Sequence, residues 1–179
     1  MKTIMQATPV WMIGALLFLT GSGIGVFATY SSGSERAVFV KDGPIYDGQE
    51  KLLGEFVAAC LGRDAKGCGD LYAENAIYMI PETPVLEGHA AILESYKELF
   101  KAPPPAEMKM SEPVTEVLAM GDWAVVRGTG SSTEIIDDGV ESRTYKWIIL
   151  SHRQEDGKWR MAWDIFNYDD PYEDNSTEK

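Results

Sequence analysis

The chain has 179 residues, which is enough for one ordinary domain and too few for two large ones. Asp and Glu outnumber Lys and Arg by 28 to 16, and the net charge of −12 argues against a nucleic-acid partner because no large basic patch can form. Hydrophobic residues make up 45% of the chain and aromatic residues 11%, a composition that builds a packed core and excludes global disorder.

The N-terminal segment has the pattern of a targeting sequence. No charged residue occurs between Thr3 and Ser34, and the most apolar part is Trp11–Thr20. Smaller residues follow, and Val26–Ala28 fits a cleavage site. Residues 1–28 are therefore predicted to be either a cleaved signal peptide or an uncleaved membrane anchor. Both alternatives predict an exported protein, periplasmic or secreted.

A helix is predicted directly after a linker. Residues 29–46 form the linker, with one edge strand over Ala37–Val40. The helix begins at Asp47, since Asp47 and Glu50 have the spacing of a reciprocal N-terminal cap. The apolar residues that follow recur at helical spacing and define one buried face: Leu52, Leu53, Phe56, Val57, Cys60 and Leu61.

Two further helices and a first strand complete this half of the chain. Asp64 caps a weak second helix at about Ala65–Tyr72. A short strand, Ala76–Ile80, is stopped by Pro81. The third helix places Ile92, Leu93, Tyr96, Leu99 and Phe100 on one face and ends at a run of prolines.

The second half reads as a series of strands. They are predicted at Met108–Val117, Trp123–Gly130, Tyr145–Arg153 and Trp159–Tyr168. Helices followed by strands indicate an α+β fold. The later strands are apolar on both faces, and the helices can cover only one face, so we expect a second copy of the chain to cover the other in a homodimer. Residues 169–179 are expected to be a disordered acidic tail.

The two cysteines, Cys60 and Cys68, allow two interpretations. A closely spaced pair in an exported protein favours a disulfide. The alternative is a pair of small buried thiols.

Several short motifs, in this order and spacing, resemble the SnoaL-like domains of the nuclear-transport-factor-2-like superfamily. They are Leu71–Ala76, Pro81, Leu86–Ile92, Gly121–Ala124, Asp156–Trp159 and Trp163–Asn167. The resemblance implies a domain over residues 47–168, built as a cone-shaped curved antiparallel sheet wrapped around three N-terminal helices. It also implies an apolar pocket in the cone and a dimer through the convex face.

Because this fold hosts many chemistries, the site residues must be compared one by one. Ketosteroid isomerases of this fold use an aspartate base, a tyrosine and a protonated aspartic acid. The matching positions are Ile80, Phe56 and Ile149, and all three are apolar. The resemblance therefore disfavours steroid-isomerase chemistry.

The limonene-type epoxide hydrolases of this fold match more closely. Asp164, Arg127 and Tyr78 correspond to the catalytic aspartate, arginine and tyrosine of that group. Two polar positions are lost, because the second aspartate is Thr129 and the water-holding asparagine is Ile80. The match implies an acid/base role for Asp164, oriented by Arg127, with Tyr78 as hydrogen-bond donor.

Strand alternation and the family template together predict which side chains line the pocket. Arg127 and Asp164 are expected to meet there, as a catalytic pair, as a carboxylate-binding arginine beside an aspartate, or as a buried ion pair without chemistry. The predicted ligand-binding residues are Trp147, Tyr145, Phe166, Thr129, Ile80 and Phe56.

No pattern in the sequence points to a cofactor or a metal. His89 and His152 are the only histidines, and neither belongs to a ligand set with metal-binding spacing. Three functions stay open: binding of a small, mostly apolar molecule without catalysis, a hydrolase, isomerase or cyclase activity using Asp164, Arg127 and Tyr78, and a purely structural dimerisation module.

Overall fold

A computed structural model describes residues 36–136 and 139–170 of the chain. The predicted signal peptide or anchor at 1–28, the start of the linker and the tail from 171 onward lie outside these ranges. None of the helices in the described ranges is long and apolar enough to span a membrane.

Three helices pack on one side of the domain. They are α1 (Pro44–Leu61), α2 (Ala65–Asp70) and α3 (His89–Leu99). Helix α1 begins three residues before the predicted cap at Asp47, because Pro44 supplies a preset first turn after Gly43. Helix α2 begins as predicted, where the Asp64 side chain accepts a hydrogen bond from the Gly67 amide.

Eight strands form one curved sheet. They are β1 (Val38–Val40), β2 (Tyr72–Met79), β3 (Leu86–Glu87), β4 (Glu107–Ser111), β5 (Val114–Met120), β6 (Trp123–Ile136), β7 (Gly139–Arg153) and β8 (Trp159–Tyr168). The strand order is β1-β5-β6-β7-β8-β2-β3, and β4 pairs with the far end of β6. The α+β fold is confirmed.

The sheet is mixed and not purely antiparallel as predicted. Strand β2 runs parallel to β8, with Tyr78 opposite Asp164. This pairing is possible because the chain between the two strands crosses the whole sheet and returns, so β8 arrives beside β2 in the same direction. It places β2, the strand that follows α2, directly beside β8, the last strand of the sheet.

Several predicted strand boundaries are wrong, and β2 begins at Tyr72 and not at Ala76. The stretch predicted as one strand over Met108–Val117 is two strands, because Glu112 and Pro113 interrupt the pairing with β6. Strands β6 and β7 are also longer than predicted, and their pairing continues to Ile136 and Gly139. The long hairpin lets β4 and β5 pair with successive parts of β6.

The core lies between the helices and the concave face of the sheet. The largest side chains that are fully buried in it are Tyr72, Ile92, Met161, Gln49, Val117 and Val126. Gln49 is held by the Ser151 hydroxyl, which donates to its Oε1 at 2.8 Å and so ties α1 to β7. This packing leaves a cavity at the open end of the cone, next to α1 and α3.

Candidate active site

A cavity of about 260 Å³ opens between the helices and the concave face of the sheet. Its wall is mostly aromatic and aliphatic, with a few polar groups, which is the usual character of a small-molecule site. The lining residues from the helices and β2 are Leu53, Phe56, Cys60, Tyr78, Tyr96, Leu99 and Phe100. The principal lining residues from the later strands are Met108, Met110, Glu112, Tyr145, Trp147, Ile149, Asp164 and Phe166.

Asp164 is the most deeply buried carboxyl group of this cavity. Its side chain is on the inward face of β8 and is 6% exposed. The Tyr72 hydroxyl donates to its Oδ2 at 2.6 Å. The Tyr72 and Tyr96 hydroxyl oxygens are 3.1 Å apart, which extends the hydrogen-bonded chain from β8 through β2 to α3.

Burial raises the pKa of Asp164 to about 6, and the hydrogen bond from Tyr72 opposes this shift. The same burial raises the pKa of Tyr72 and Tyr96 far above the ordinary value, so both remain neutral donors. Asp164 can therefore change its protonation state near neutral pH while its neighbours do not, which suits a group that exchanges protons.

Glu112 is a second carboxyl group on the cavity wall. It lies at the break between β4 and β5, and Tyr145 donates to its Oε1 at 2.7 Å. Burial raises its pKa to about 7, although the hydrogen bond from Tyr145 lowers it. The Trp147 indole NH also lowers this pKa by its proximity, but its geometry is not that of a hydrogen bond to Glu112 or to any other described residue.

Two glycines of β6 make room for the aromatic wall. Gly128 faces Trp147 and Gly130 faces Tyr145 across the β6–β7 pair. A Cβ atom on Gly128 would lie 2.3 Å from the Trp147 ring, and one on Gly130 would lie 2.2 Å from the Tyr145 ring. At Gly128 and Gly130 the inward face of β6 therefore carries no side chain, and the rings of Trp147 and Tyr145 pack against its backbone there.

The prediction that Arg127 and Thr129 face the pocket is wrong. Both are exposed, and the Arg127 Nε donates to Glu116 at 2.8 Å on the outer face of the sheet. Their neighbours Val126 and Gly128 are the inward residues. Successive side chains of a strand point to opposite faces of the sheet. A prediction for β6 that is wrong by one residue therefore assigns its outward side chains to the pocket and its inward side chains to the outer face. Arg127 and Asp164 do not meet, and the ion-pair alternatives built on them are wrong as well.

The structure brings most of the other predicted site residues together. Tyr78, Phe56, Tyr145, Trp147 and Phe166 all line the cavity. Tyr78 stacks on Tyr96 at 6.2 Å between ring centroids, but the donor to Asp164 is Tyr72 and not Tyr78. Ile80 is half-buried against the core and does not line the cavity.

Cys60 and Cys68 are free thiols in the structure, which is the second of the two sequence interpretations. Their sulfur atoms are 3.7 Å apart, and Cys60 lines the cavity. The hydrogen bond between the sulfurs and the burial of the site raise the pKa of Cys60. This thiol is therefore protonated and a poor nucleophile.

Sequence reasoning missed Tyr72, Tyr96 and Glu112 as polar groups of the site. Tyr96 appeared only as an apolar residue of α3, since helical periodicity does not tell a core tyrosine from a hydrogen-bonding one. A signal for Glu112 was present, because Met108, Met110 and Glu112 alternate along one face up to the break at Pro113. This alternation places the Glu112 carboxylate on the same face of the strand as Met108 and Met110.

A wider cleft of about 1260 Å³ runs along the outer side of α1 and α2. Its wall includes exposed charged side chains such as Lys51, Glu55 and Lys158, and the buried carboxyls do not line it. The cavity in the cone, which holds the two buried carboxyl groups and the aromatic wall, is therefore the better candidate for a functional site. In the described ranges, no group of three or more His, Cys, Asp or Glu side chains is placed to hold a metal ion.

The protein-family model of the SnoaL-like domain matches residues 53–161, which is more than half of the chain. The chain belongs to the SnoaL-like domain family. The predicted family membership is thereby confirmed, together with the nuclear-transport-factor-2-like fold. A search of curated protein sequences found no match.

Solved structures with the same fold share little sequence with this SnoaL-like domain. A ketosteroid isomerase-like protein from Erwinia carotovora atroseptica is 21% identical over 68% of this chain and 94% of its own, with a TM-score of 0.56. ActVI-ORFA from Streptomyces coelicolor is 14% identical over 70% and 97%, with a TM-score of 0.61. A Catenulispora acidiphila protein in complex with S-DNPA is 13% identical over 70% and 93%, with a TM-score of 0.59. At these identities the likeness shows the fold alone.

Proposed function

We propose that this SnoaL-like domain binds a small, mostly apolar molecule in the cavity of its cone. The carrying observation is the cavity itself, which stays open although the aromatic side chains of α3, β7 and β8 surround it. A purely structural module would gain stability by filling this space, because voids cost packing energy. The Catenulispora relative in complex with S-DNPA is consistent with ligand binding in this fold.

The test uses a neutral aromatic probe and a pair of neighbouring variants. Met110 lines the cavity, whereas Ser111 is exposed on the other face of β4. We expect p-cresol to bind the native domain in ligand-observed NMR, Met110→Trp to weaken binding at least tenfold by filling the cavity, and Ser111→Trp to leave it unchanged. Absence of binding to the native domain, or equal binding by both variants, would show that this cavity is not the site.

A second function, proton transfer, is favoured by one specific observation. Asp164 and Glu112 face the same cavity with pKa values raised by burial to about 6 and about 7. Groups that titrate near neutrality serve best as general acids and bases. In this proposal Asp164 takes or gives the proton and Tyr72 orients it, while Arg127 has no part.

The decisive variant for this second function is Asp164→Asn, which keeps the shape of the side chain and removes its ionisation. With a substrate found by screening activated ketones and epoxides, we expect a loss of at least a hundredfold in kcat with little change in KM. Glu155→Gln, a change at an exposed turn, is the control. Unchanged turnover in Asp164→Asn would limit the domain to binding.

We further propose that the domain forms a homodimer through the convex face of its sheet. One row of side chains in register crosses six strands on that face: Phe39, Leu118, Val125, Leu150, Trp163 and Ile77. Phe39 is 62% exposed and Trp163 is 53% exposed. A contiguous apolar row of this kind is the typical core of a protein–protein interface.

Export is the remaining proposal, and it rests on the uncharged segment between Thr3 and Ser34. The measurement is the intact mass of the protein purified from its own cells. A mass lacking residues 1–28 would support a cleaved signal peptide, and an intact chain recovered from membranes would support an anchor. An intact chain recovered from the cytosol would contradict export.

A further inference from the structure

The charge of the cavity wall is one-sided. Three acidic residues line the cavity, Glu112, Glu134 and Asp164. Of the described lining residues, none is Lys, Arg or His. Two arginines stack on outer rings of the wall, Arg63 over Phe100 and Arg143 over Tyr168, but neither lines the cavity.

Each of the two inner carboxyl groups has one oxygen committed to a protein donor. Tyr72 donates to Oδ2 of Asp164, and Tyr145 donates to Oε1 of Glu112. The second oxygen of each group accepts no hydrogen bond from the described residues. Buried carboxylates without a cationic partner are costly, so a bound cation would relieve the energy of burying them.

The rest of the wall is aromatic. Tyr78 stacks on Tyr96 at 6.2 Å, and Phe166 makes edge contacts with Tyr145 at 5.8 Å and with Tyr168 at 5.4 Å between ring centroids. The faces of aromatic rings carry negative electrostatic potential and attract organic cations. A wall of rings beside carboxylates is thus suited to an alkylammonium group, which is both bulky and positive.

We propose that the ligand of this cavity is a small organic cation, an amine or quaternary ammonium compound with apolar substituents. The inference rests on the proposed binding function and adds the charge class of the ligand. The ammonium group lies between Glu112 and Asp164, and its substituents contact the rings of Tyr78, Tyr96 and Phe166. Carboxylate and phosphate ligands are excluded by the same acidic groups.

The experiment compares probes of equal shape and different charge. Phenyltrimethylammonium and tert-butylbenzene differ by the exchange of a charged nitrogen for a carbon, and benzoate is the anionic probe. We expect the native domain to bind the cation at least tenfold more tightly than the neutral isostere at pH 8. Because protonation of Glu112 and Asp164 removes the charge of two of the three acidic lining residues and leaves Glu134 and the aromatic rings, the preference should weaken at pH 5.

Two variants and one control localise the effect. Glu112→Gln and Asp164→Asn should each lower the affinity for the cation at least tenfold while leaving tert-butylbenzene binding within twofold. Glu116→Gln is the control, because it removes a glutamate from the outer face, where Glu116 pairs with Arg127. It should change neither the affinity for the cation nor the affinity for tert-butylbenzene.

The outcomes separate this inference from the proposed function. If tert-butylbenzene binds as tightly as phenyltrimethylammonium or more tightly, or if benzoate binds more tightly, the inference that the ligand is a cation is wrong. The proposed binding function is not affected by that result. A cation preference that survives in both cavity variants also overturns it. If none of the three probes binds and p-cresol does not bind either, the proposed function and the inference both fail.

Discussion

At the scale of single residues, Asp164 couples stability to pH. Its pKa is raised from 3.8 to about 6 in the folded chain, so the folded state holds its proton more tightly than the unfolded chain does. The free energy of unfolding should therefore fall as pH rises from about 4 to about 6. Glu112, with its pKa raised from 4.5 to about 7, adds a second loss up to about pH 7.

The Asp164→Asn variant should not show the fall in the free energy of unfolding that Asp164 causes between about pH 4 and pH 6. We expect it to be more stable than the native chain by about 2 kcal/mol at pH 8 and to show no such advantage at pH 4, in urea unfolding across this range. Asp156→Asn is the control. Arg160 lowers the pKa of Asp156 to about 2, so this carboxyl changes its contribution to stability only below pH 4, outside the range measured. Parallel pH profiles for the native chain and Asp164→Asn would contradict the burial argument.

The hydrogen bond from Tyr72 lowers the pKa of Asp164, whereas burial raises it. It stabilises the ionised form of Asp164, so Tyr72→Phe should raise the pKa of Asp164 above its native value of about 6. The loss of a hydrogen bond to a buried charge should also lower the free energy of unfolding by about 1.5–3 kcal/mol at pH 8.

The measurement is a carboxyl ¹³C NMR titration of Asp164 together with urea unfolding. Tyr78→Phe is the control, because Tyr78 is also a buried tyrosine of β2 but its hydroxyl makes no hydrogen bond to Asp164. A shift of the Asp164 titration that is equal in both variants would assign the effect to the cavity as a whole and not to Tyr72.

At the scale of elements, β6 shapes the cavity through residues that have no side chain. In Gly128→Ala the new methyl group would meet the Trp147 ring at 2.3 Å and the Pro113 carbonyl at 2.4 Å, and neither can move freely. We expect a loss of about 1–3 kcal/mol from overpacking, together with weaker ligand binding.

The control for this change is Gly54→Ala on α1, where a Cβ atom would meet nothing within 4 Å. Alanine is favoured over glycine inside a helix, so this variant should gain about 0.5–1 kcal/mol. Thermal and urea unfolding of both variants measure the two effects. A neutral Gly128→Ala would mean that the floor of the cavity is not as tightly packed as the distances require.

At the scale of the whole molecule, the convex face decides the oligomeric state. Trp163→Lys places a charge in the centre of the apolar row and should convert a dimer to a monomer in sedimentation velocity at micromolar concentration. Val140→Lys is the control, because Val140 is 65% exposed and lies outside the row. A monomeric native chain, or a dimer that survives Trp163→Lys, would refute this interface.

Local patterns predicted the helices well, since the spacing of apolar residues and the Asp64 cap are short-range signals. The faces of the strands were harder. Two aromatic residues at alternate positions, Tyr145 and Trp147, followed by Ile149, identified the inner face of β7. Strand β6 offered no such signal, because its inner face carries Gly128 and Gly130 and its outer face carries Arg127. Arg127 was predicted to be functional because it matches the arginine of the epoxide hydrolases, and that match in sequence did not reveal that its side chain is on the outer face.

The sequence by itself determined the α+β class, the family and the presence of Asp164 among apolar neighbours, because each depends on the order and periodicity of residues along the chain. Only the tertiary structure decided which groups share the cavity. Asp164 meets Tyr72 across the parallel pair of β2 and β8, about ninety residues apart along the chain. Glu112 reaches the same wall through a break in strand pairing. Burial then raises the pKa of both carboxyls, and burial is a property of the packed chain that no local pattern contains.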